Sequence, residues 1–226
     1  MEPRSGGNVG SGEQGTRRRL IEAAGAVFSE KGYDRATARQ ICDLARANYA
    51  AVNYHFGGKK ELYLEVLREA HRRLINVGAI AAAAAAEGVG SVEERLEKVF
   101  LDLLHTLLDQ SHEGWTTRVI MREMAAPTRA LEDLVELQIL PASRLFRAVI
   151  GQVMNLPVDH EAVVRGAVST IGQLIFIFQN RRTLEQMYPG LELRGKGMEA
   201  MARHIRVFSV AGLRAAAKDA GEGERP

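Results

Sequence analysis

A chain of 226 residues that is 46% hydrophobic holds ample material for a core, in one large domain or two small ones. Its single cysteine, Cys42, excludes an intrachain disulfide and suits a reducing compartment, so a cytoplasmic location is expected. The formal charge of +2 is unevenly spread: residues 1–75 carry 13 Lys and Arg against 9 Asp and Glu, and the remainder 17 against 19. That asymmetry points to an anionic partner for the front end alone.

The opening stretch MEPRSGGNVGSGEQG holds five glycines and no apolar run, so residues 1–15 read as a flexible tail and not as a signal peptide. Thr16 is placed to cap a first helix whose Leu20, Ala23, Ala24, Val27 and Phe28 make one apolar stripe, with Gly32 ending it. Thr37 caps a short second helix with Ile41, Leu44 and Ala45 inward. After a break at Arg46-Ala47-Asn48, Asn48 caps a third helix running to Phe56, Gly57-Gly58 stop it, and Lys59 starts a longer fourth. Two short helices across a three-residue turn form a helix-turn-helix candidate.

In such a unit the second short helix enters the major groove and its apolar positions hold it to the domain. Val52 and Phe56, four apart, take the inward face, which leaves Tyr49, Ala50 and Asn53 outward near the helix start. An Asn amide suits adenine, and Ala50 or Ala51 suits a thymine methyl. Tyr54, His55 and Lys59 offer a hydroxyl, an imidazole and an ammonium for phosphate, as does Thr37 at a helix N-terminus. The run Arg17-Arg18-Arg19 reads either as a solvated face or as an arm on phosphate or in the minor groove.

The stretch from Arg17 to Leu67, RRRLIEAAGAVFSEKGYDRATARQICDLARANYAAVNYHFGGKKELYLEVL, resembles the TetR-like bacterial transcriptional regulators. Phe28, Gly32-Tyr33, Thr37, Ile41, Tyr54-His55-Phe56 and Lys59 with Glu61-Leu62 carry the likeness. The resemblance implies phosphate contacts from Thr37, Tyr54, His55 and Lys59, and base reading from Arg39, Tyr49, Ala50, Ala51 and Asn53, with Asn48 at the start of the reading helix. The sequence departs from the family pattern in the turn, where Arg46 stands for the usual glycine, and at Cys42, where alanine is usual.

Further along, NVGAIAAAAAAEGVG from Asn76 to Gly90 combines a helix-favouring alanine run with flanking glycines and reads as the seam between front end and body. Ser91 and Glu94 form a capping-box pattern opening a helix with Leu96, Val99, Phe100, Leu103, Leu104 and Leu107. Helices are expected from about 113 to 126, from 129 to 154 with a kink or break at Pro141, over 159–180 and over 196–217, with a short turn at TLEQMY and a disordered tail over 218–226. The fold expectation is therefore all-α with about nine to ten helices. A helix-turn-helix domain spans 16–62, and a ligand-binding and dimerisation domain spans 63–217.

The resemblance further implies a homodimer on a palindromic double-stranded DNA operator, built from the last two long helices. Val163, Ala167, Ile171, Leu174, Phe178, Met201, Ile205 and Phe208 are the interface candidates. It implies a small-molecule effector in the body, with His105, Leu108, Trp115, Arg118, Val119, Arg122, Gln173 and Phe176 as candidate lining. A helical small-molecule-binding or interaction module with an inactive front end is the alternative. No catalytic elbow, phosphate loop or dinucleotide fingerprint occurs, so no enzyme is expected. His105 and His112 lack a third ligand at metal spacing, so neither metal nor cofactor is expected. The stretch Ala162–Phe178 carries Arg165 and reads as a buried helix, so no membrane span is expected.

Overall fold

The computed structural model describes residues 9–86, 90–108 and 114–223; His112 lies outside them. Every regular element among these residues is helical. The contacts divide the chain into two compact units, Met1–His71 with Glu113–Val135, and Arg72–His112 with Glu136–Pro226. The division differs from the expected boundary after residue 62. The chain passes between units within one continuous helix, Lys59–Leu74, and a later segment returns to the first unit.

The first unit begins with α1 (Val9–Arg35), broken at Gly32, whose φ of 77° and ψ of 171° leave the helical region. The helix starts well before Thr16, in the stretch read as a tail. Thr16 is accordingly no cap, and its hydroxyl donates to the Gly12 carbonyl at 2.9 Å, one turn back. α2 (Ala38–Ala45) does open on Thr37, which accepts from the Gln40 N–H while the Gln40 side chain accepts in return from the Thr37 N–H. This full capping box satisfies two otherwise orphaned donors. α3 (Ala51–Phe56) and α4 (Lys59–Leu74) follow, separated by Gly57 at φ 84°.

The first unit is completed from far along the sequence by α7 (Trp115–Ala125) and α8 (Arg129–Leu134). α7 lies along α1, where two glycines seven residues apart leave room for it. An added Cβ on Gly25 would fall 2.1 Å from the Trp115 ring, and one on Gly32 2.8 Å from the Arg122 Nε. The Trp115 indole N–H donates to Glu22 at 2.7 Å. Phe28, Tyr33 and Tyr63 form an aromatic cluster, the Phe28–Tyr63 pair edge to face at 4.7 Å, worth about 0.5–1.5 kcal/mol beyond its burial. The Tyr63 hydroxyl donates at 2.6 Å to the buried Glu123, whose other oxygen accepts from the Thr128 N–H and hydroxyl. Burial, and then the Glu123 carboxylate, pushes the Tyr63 phenol well above its ordinary range.

The second unit packs α5 (Val77–Ala85), α6 (Val92–Leu108), α9 (Leu140–Met154), α10 (Glu161–Met187) and α11 (Gly195–Gly223) around one core that includes Phe100, Leu104, Ile150, Leu174 and Ile205. The alanine run expected as a seam is α5 itself, capped by Asn76 and packed against α6 and α9 with Ile80 and Ala83 buried. The Ser91–Glu94 capping box forms in both directions. The kink or break expected at Pro141 takes the form of a π turn over Val135–Ile139, between α8 and α9. Pro141 has no N–H for the preceding turn and sits in the first turn of α9, so the wider turn accommodates it. α10 runs past Asn180 to Met187, taking in TLEQM with Tyr188 as its C-cap, and α11 continues to Gly223 through most of the expected disordered tail. By length and composition alone α10 is apolar enough to cross a membrane, yet a third of its most apolar window is buried within the protein and its Val163, Ala167 and Leu174 are in the core.

Candidate nucleic-acid interface

The ten residues expected to meet DNA lie on α2, α3, the turns around them and, for Lys59, the first position of α4, and none is buried. Val52, 1% exposed, anchors α3 from its inner face. Phe56 is half-buried beneath the Arg17 guanidinium, 5.1 Å from the ring centre. With these two holding the helix, Tyr49, Ala50, Asn53 and Tyr54 face outward, Tyr54 at 74% exposure. A helix of six residues that gives its outer positions to an amide, a phenol and an imidazole is poorly suited to packing and well suited to polar contact.

The hydrogen bonds refine several roles. The Asn48 side-chain oxygen accepts from the Ala50 N–H at 2.9 Å, so it organises a turn before α3, which begins two residues later than expected. Thr37 accepts from Gln40, which leaves its hydroxyl proton free to donate outward. Lys59 donates to the Asp34 carbonyl at 3.4 Å and sits 4.5 Å over the Tyr33 ring, with two further donors to offer. The Tyr54 hydroxyl donates to the Glu13 carboxylate at 3.0 Å, and that bond raises its pKa. Residues 1–15 read as a tail by composition, so this contact carries no signal in the sequence.

The arginine run separates by helix phase. Arg17 pairs with Glu65 at 2.7 Å, and Arg19 donates to the Ala45 carbonyl at the end of α2 and to Thr16. Both therefore brace the unit. Glu65 is partly buried, which works to raise its pKa, but the hydrogen bonds from Arg68 and Arg17 outweigh this and lower it. Arg18, one residue out of phase with each, is exposed.

The residues expected to line an effector pocket are divided between the two units. Trp115, Arg118, Val119 and Arg122 belong to α7 of the first unit, where Trp115 and Val119 are buried and packed inside that unit. His105 and Leu108 lie on α6 of the second unit, His105 exposed and Leu108 in the core. Gln173 and Phe176 are on the outer side of α10; Gln173 donates to Ser209 of α11, and Phe176 is 57% exposed. Amphipathic spacing could not tell these faces apart, since Leu108, Trp115, Val119 and Phe176 each suit a core as well as a pocket.

The interface candidates separate by their burial within the unit. Val163, Ala167, Leu174 and Ile205 are buried within the unit, and Ile171, Phe178 and Met201 pack against its core, so Phe208 is the exposed member. The outward apolar face of α10 and α11 is made instead by Val164, Val168, Phe176, Val207 and Phe208. Between the two helices runs a groove of about 370 Å³ lined by Arg165, Ser169, Gln173, Phe208 and Gly212 among others. Among the described residues no group of three or more His, Cys, Asp or Glu is placed to hold a metal ion.

Residues 20–66 match the family model described as bacterial regulatory proteins, tetR family, and residues 92–213 match the C-terminal domain of the HTH-type transcriptional dual regulator CecR. The chain is 23% identical over 151 residues to the "Probable HTH-type transcriptional regulator YttP" of Bacillus subtilis, covering 64% of this chain and 70% of that protein. It is 49% identical over 53 residues to the dual regulator CecR of Shigella flexneri and 33% identical over 72 residues to the repressor AcnR of Corynebacterium glutamicum. Those matches take up 24% and 31% of this chain, and 23% and 38% of the respective relatives. Among solved structures, the TetR-family regulator PfmR from Thermus thermophilus has the same fold, with a TM-score of 0.59 at 19% identity over 85% of this chain and 94% of that one.

Proposed function

Because the chain belongs to the TetR family of bacterial regulatory proteins, we propose that this DNA-binding transcriptional regulator is a cytoplasmic, ligand-relieved repressor that binds a palindromic operator as a homodimer. One observation carries the DNA side of the reading: α3 is held down by buried Val52 while Tyr49, Asn53 and Tyr54 stand exposed beside it. Asn53 and Tyr49 read base edges, assisted by Ala50, Ala51 and Arg39. Thr37, Tyr54, His55 and Lys59 hold phosphates, and Asn48 sets the turn that aims them. A single six-residue reading helix contacts few bases, so specificity needs two half-sites and a two-fold pair of subunits. The exposed apolar face of α10 and α11 is the surface suited to that pairing.

Relief of repression requires an effector that prefers one of two states. The repressor name of AcnR supports the sign of regulation, and the dual-regulator name of CecR supports an activating role at some sites. The test is binding of the full chain to its own upstream duplex across a salt series. Affinity that falls steeply with salt and needs both half-sites is expected. No protected region at low salt leaves only the alternative, a helical binding module with an inactive front end. Asn53→Ala and Tyr49→Ala should relax sequence preference, whereas Lys59→Ala should weaken all duplexes alike. Equal losses from all three on every duplex contradict the assigned roles.

A further inference from the structure

Arg46 closes α2 in the left-handed region, with φ 50° and ψ 48°. Its N–H donates to the Asp43 carbonyl, and the Ala47 N–H donates to the Cys42 carbonyl at 3.0 Å. This is a helix-ending pattern for which glycine is the low-strain residue. Asn155, which ends α9 at φ 55°, is the other non-glycine residue with positive φ among the described residues, and asparagine tolerates that conformation far better than arginine does. Arg46 therefore strains the turn.

The fold receives nothing in exchange. Arg17, Arg19 and Arg68 all make side-chain bonds inside the first unit, whereas the Arg46 guanidinium makes no hydrogen bond or ion pair with the described residues and the residue is exposed. It stands in the turn between α2 and α3, three residues before Tyr49. A strained cation with no internal partner, set at the mouth of a reading helix, has its partner outside the chain. We propose that Arg46 is a further DNA-positioning residue, its planar guanidinium taking an operator phosphate beside the groove that α3 enters. The inference rests on the DNA-binding reading above and adds to it a contact that fixes the height and tilt of α3 over the bases.

The test compares the full chain with Arg46→Gln and Arg46→Gly on one duplex from the upstream region, between about 50 and 200 mM salt. Glutamine keeps the strain and most of the length but loses the charge; glycine relaxes the strain as well. Both variants should bind about tenfold more weakly, with a plot of log affinity against log salt shallower by about 0.9. Arg46→Gly alone should melt higher, by about 2 °C or more. Wild-type affinity and salt slope in Arg46→Gln overturn the proposal, and so does a loss confined to Arg46→Gly, which would assign the effect to turn geometry. If the wild-type chain shows no salt-sensitive duplex binding, the DNA-binding reading falls and this contact with it. If the wild type binds and Arg46→Gln matches it, the contact alone fails.

Discussion

Replacing Gly25 by alanine sets two effects of known sign against each other. A helix interior favours alanine over glycine by about 0.8–1.0 kcal/mol, so helix propensity alone makes the variant more stable. Against this, the new methyl carbon would lie 2.1, 2.4 and 2.5 Å from three carbons of the Trp115 indole. The ring is rigid, 8% exposed, and tied by its N–H to Glu22 at 2.7 Å, so it cannot move aside without giving up that bond. Overpacking costs about 1–3 kcal/mol, and loosening a hydrogen bond to a carboxylate adds about 1.5–3 kcal/mol where it is lost outright. Net destabilisation of about 1–3 kcal/mol is expected. Gly15, in the same helix, provides the control, because its nearest foreign atom is the flexible Arg19 Nη1 at 3.9 Å; Gly15→Ala should gain up to about 1 kcal/mol. Equilibrium urea unfolding followed by circular dichroism, at one fixed protein concentration, measures both. The emission of Trp115, the only tryptophan, reports on the contact itself. A Gly25→Ala protein as stable as the wild type, with unchanged emission, would refute the account of how α7 seats on α1.

Three other outcomes follow from features already described. The Tyr63 phenol is held above its ordinary pKa, so its contribution is complete below about pH 10 and fades as pH rises further; Tyr63→Phe should flatten this alkaline loss in a pH series of urea midpoints, and an unchanged slope counts against the Tyr63–Glu123 bond. Val168→Glu puts a charge on the exposed apolar face of α10 and should give monomers by light scattering, whereas a surviving dimer moves the pairing surface elsewhere. Glu13→Gln removes a carboxylate from beside Tyr54 and should strengthen duplex binding a few-fold at low salt; weaker binding would mean that Glu13 is needed to orient the phenol.

The helix-turn-helix was legible in the sequence because its determinants are local. Thr37, Gly32, Gly57 and the Val52/Phe56 pair each act within a few residues, and the structure uses all of them. The ends of helices were less legible: residues 9–15 and 218–223 are rich in glycine and charge, yet they extend α1 and α11. The membership of α7 was not legible at all. Its Trp115 and Arg122 answer Gly25 and Gly32 at a matched spacing of seven, but a pairing between segments about ninety residues apart leaves no periodic signal in either. Likewise the α10 pattern showed that the helix is apolar, without showing which of Val163 and Val164 faces the core, since a helix apolar on two sides has no phase to read.

The seating of α7 against α1 bears on how such a chain can be cut and recombined. A fragment ending near residue 71 would carry the reading helix intact yet expose Gly25, Phe28 and Tyr63 along a groove that Trp115 and Glu123 normally close. A hybrid made by joining another reader to this body at that point would bring α7 against a foreign first helix, which needs small residues seven apart to admit it. Exchange of specificity between such proteins therefore has a hidden matching rule, written in two glycines of α1 that lie outside the reading helix.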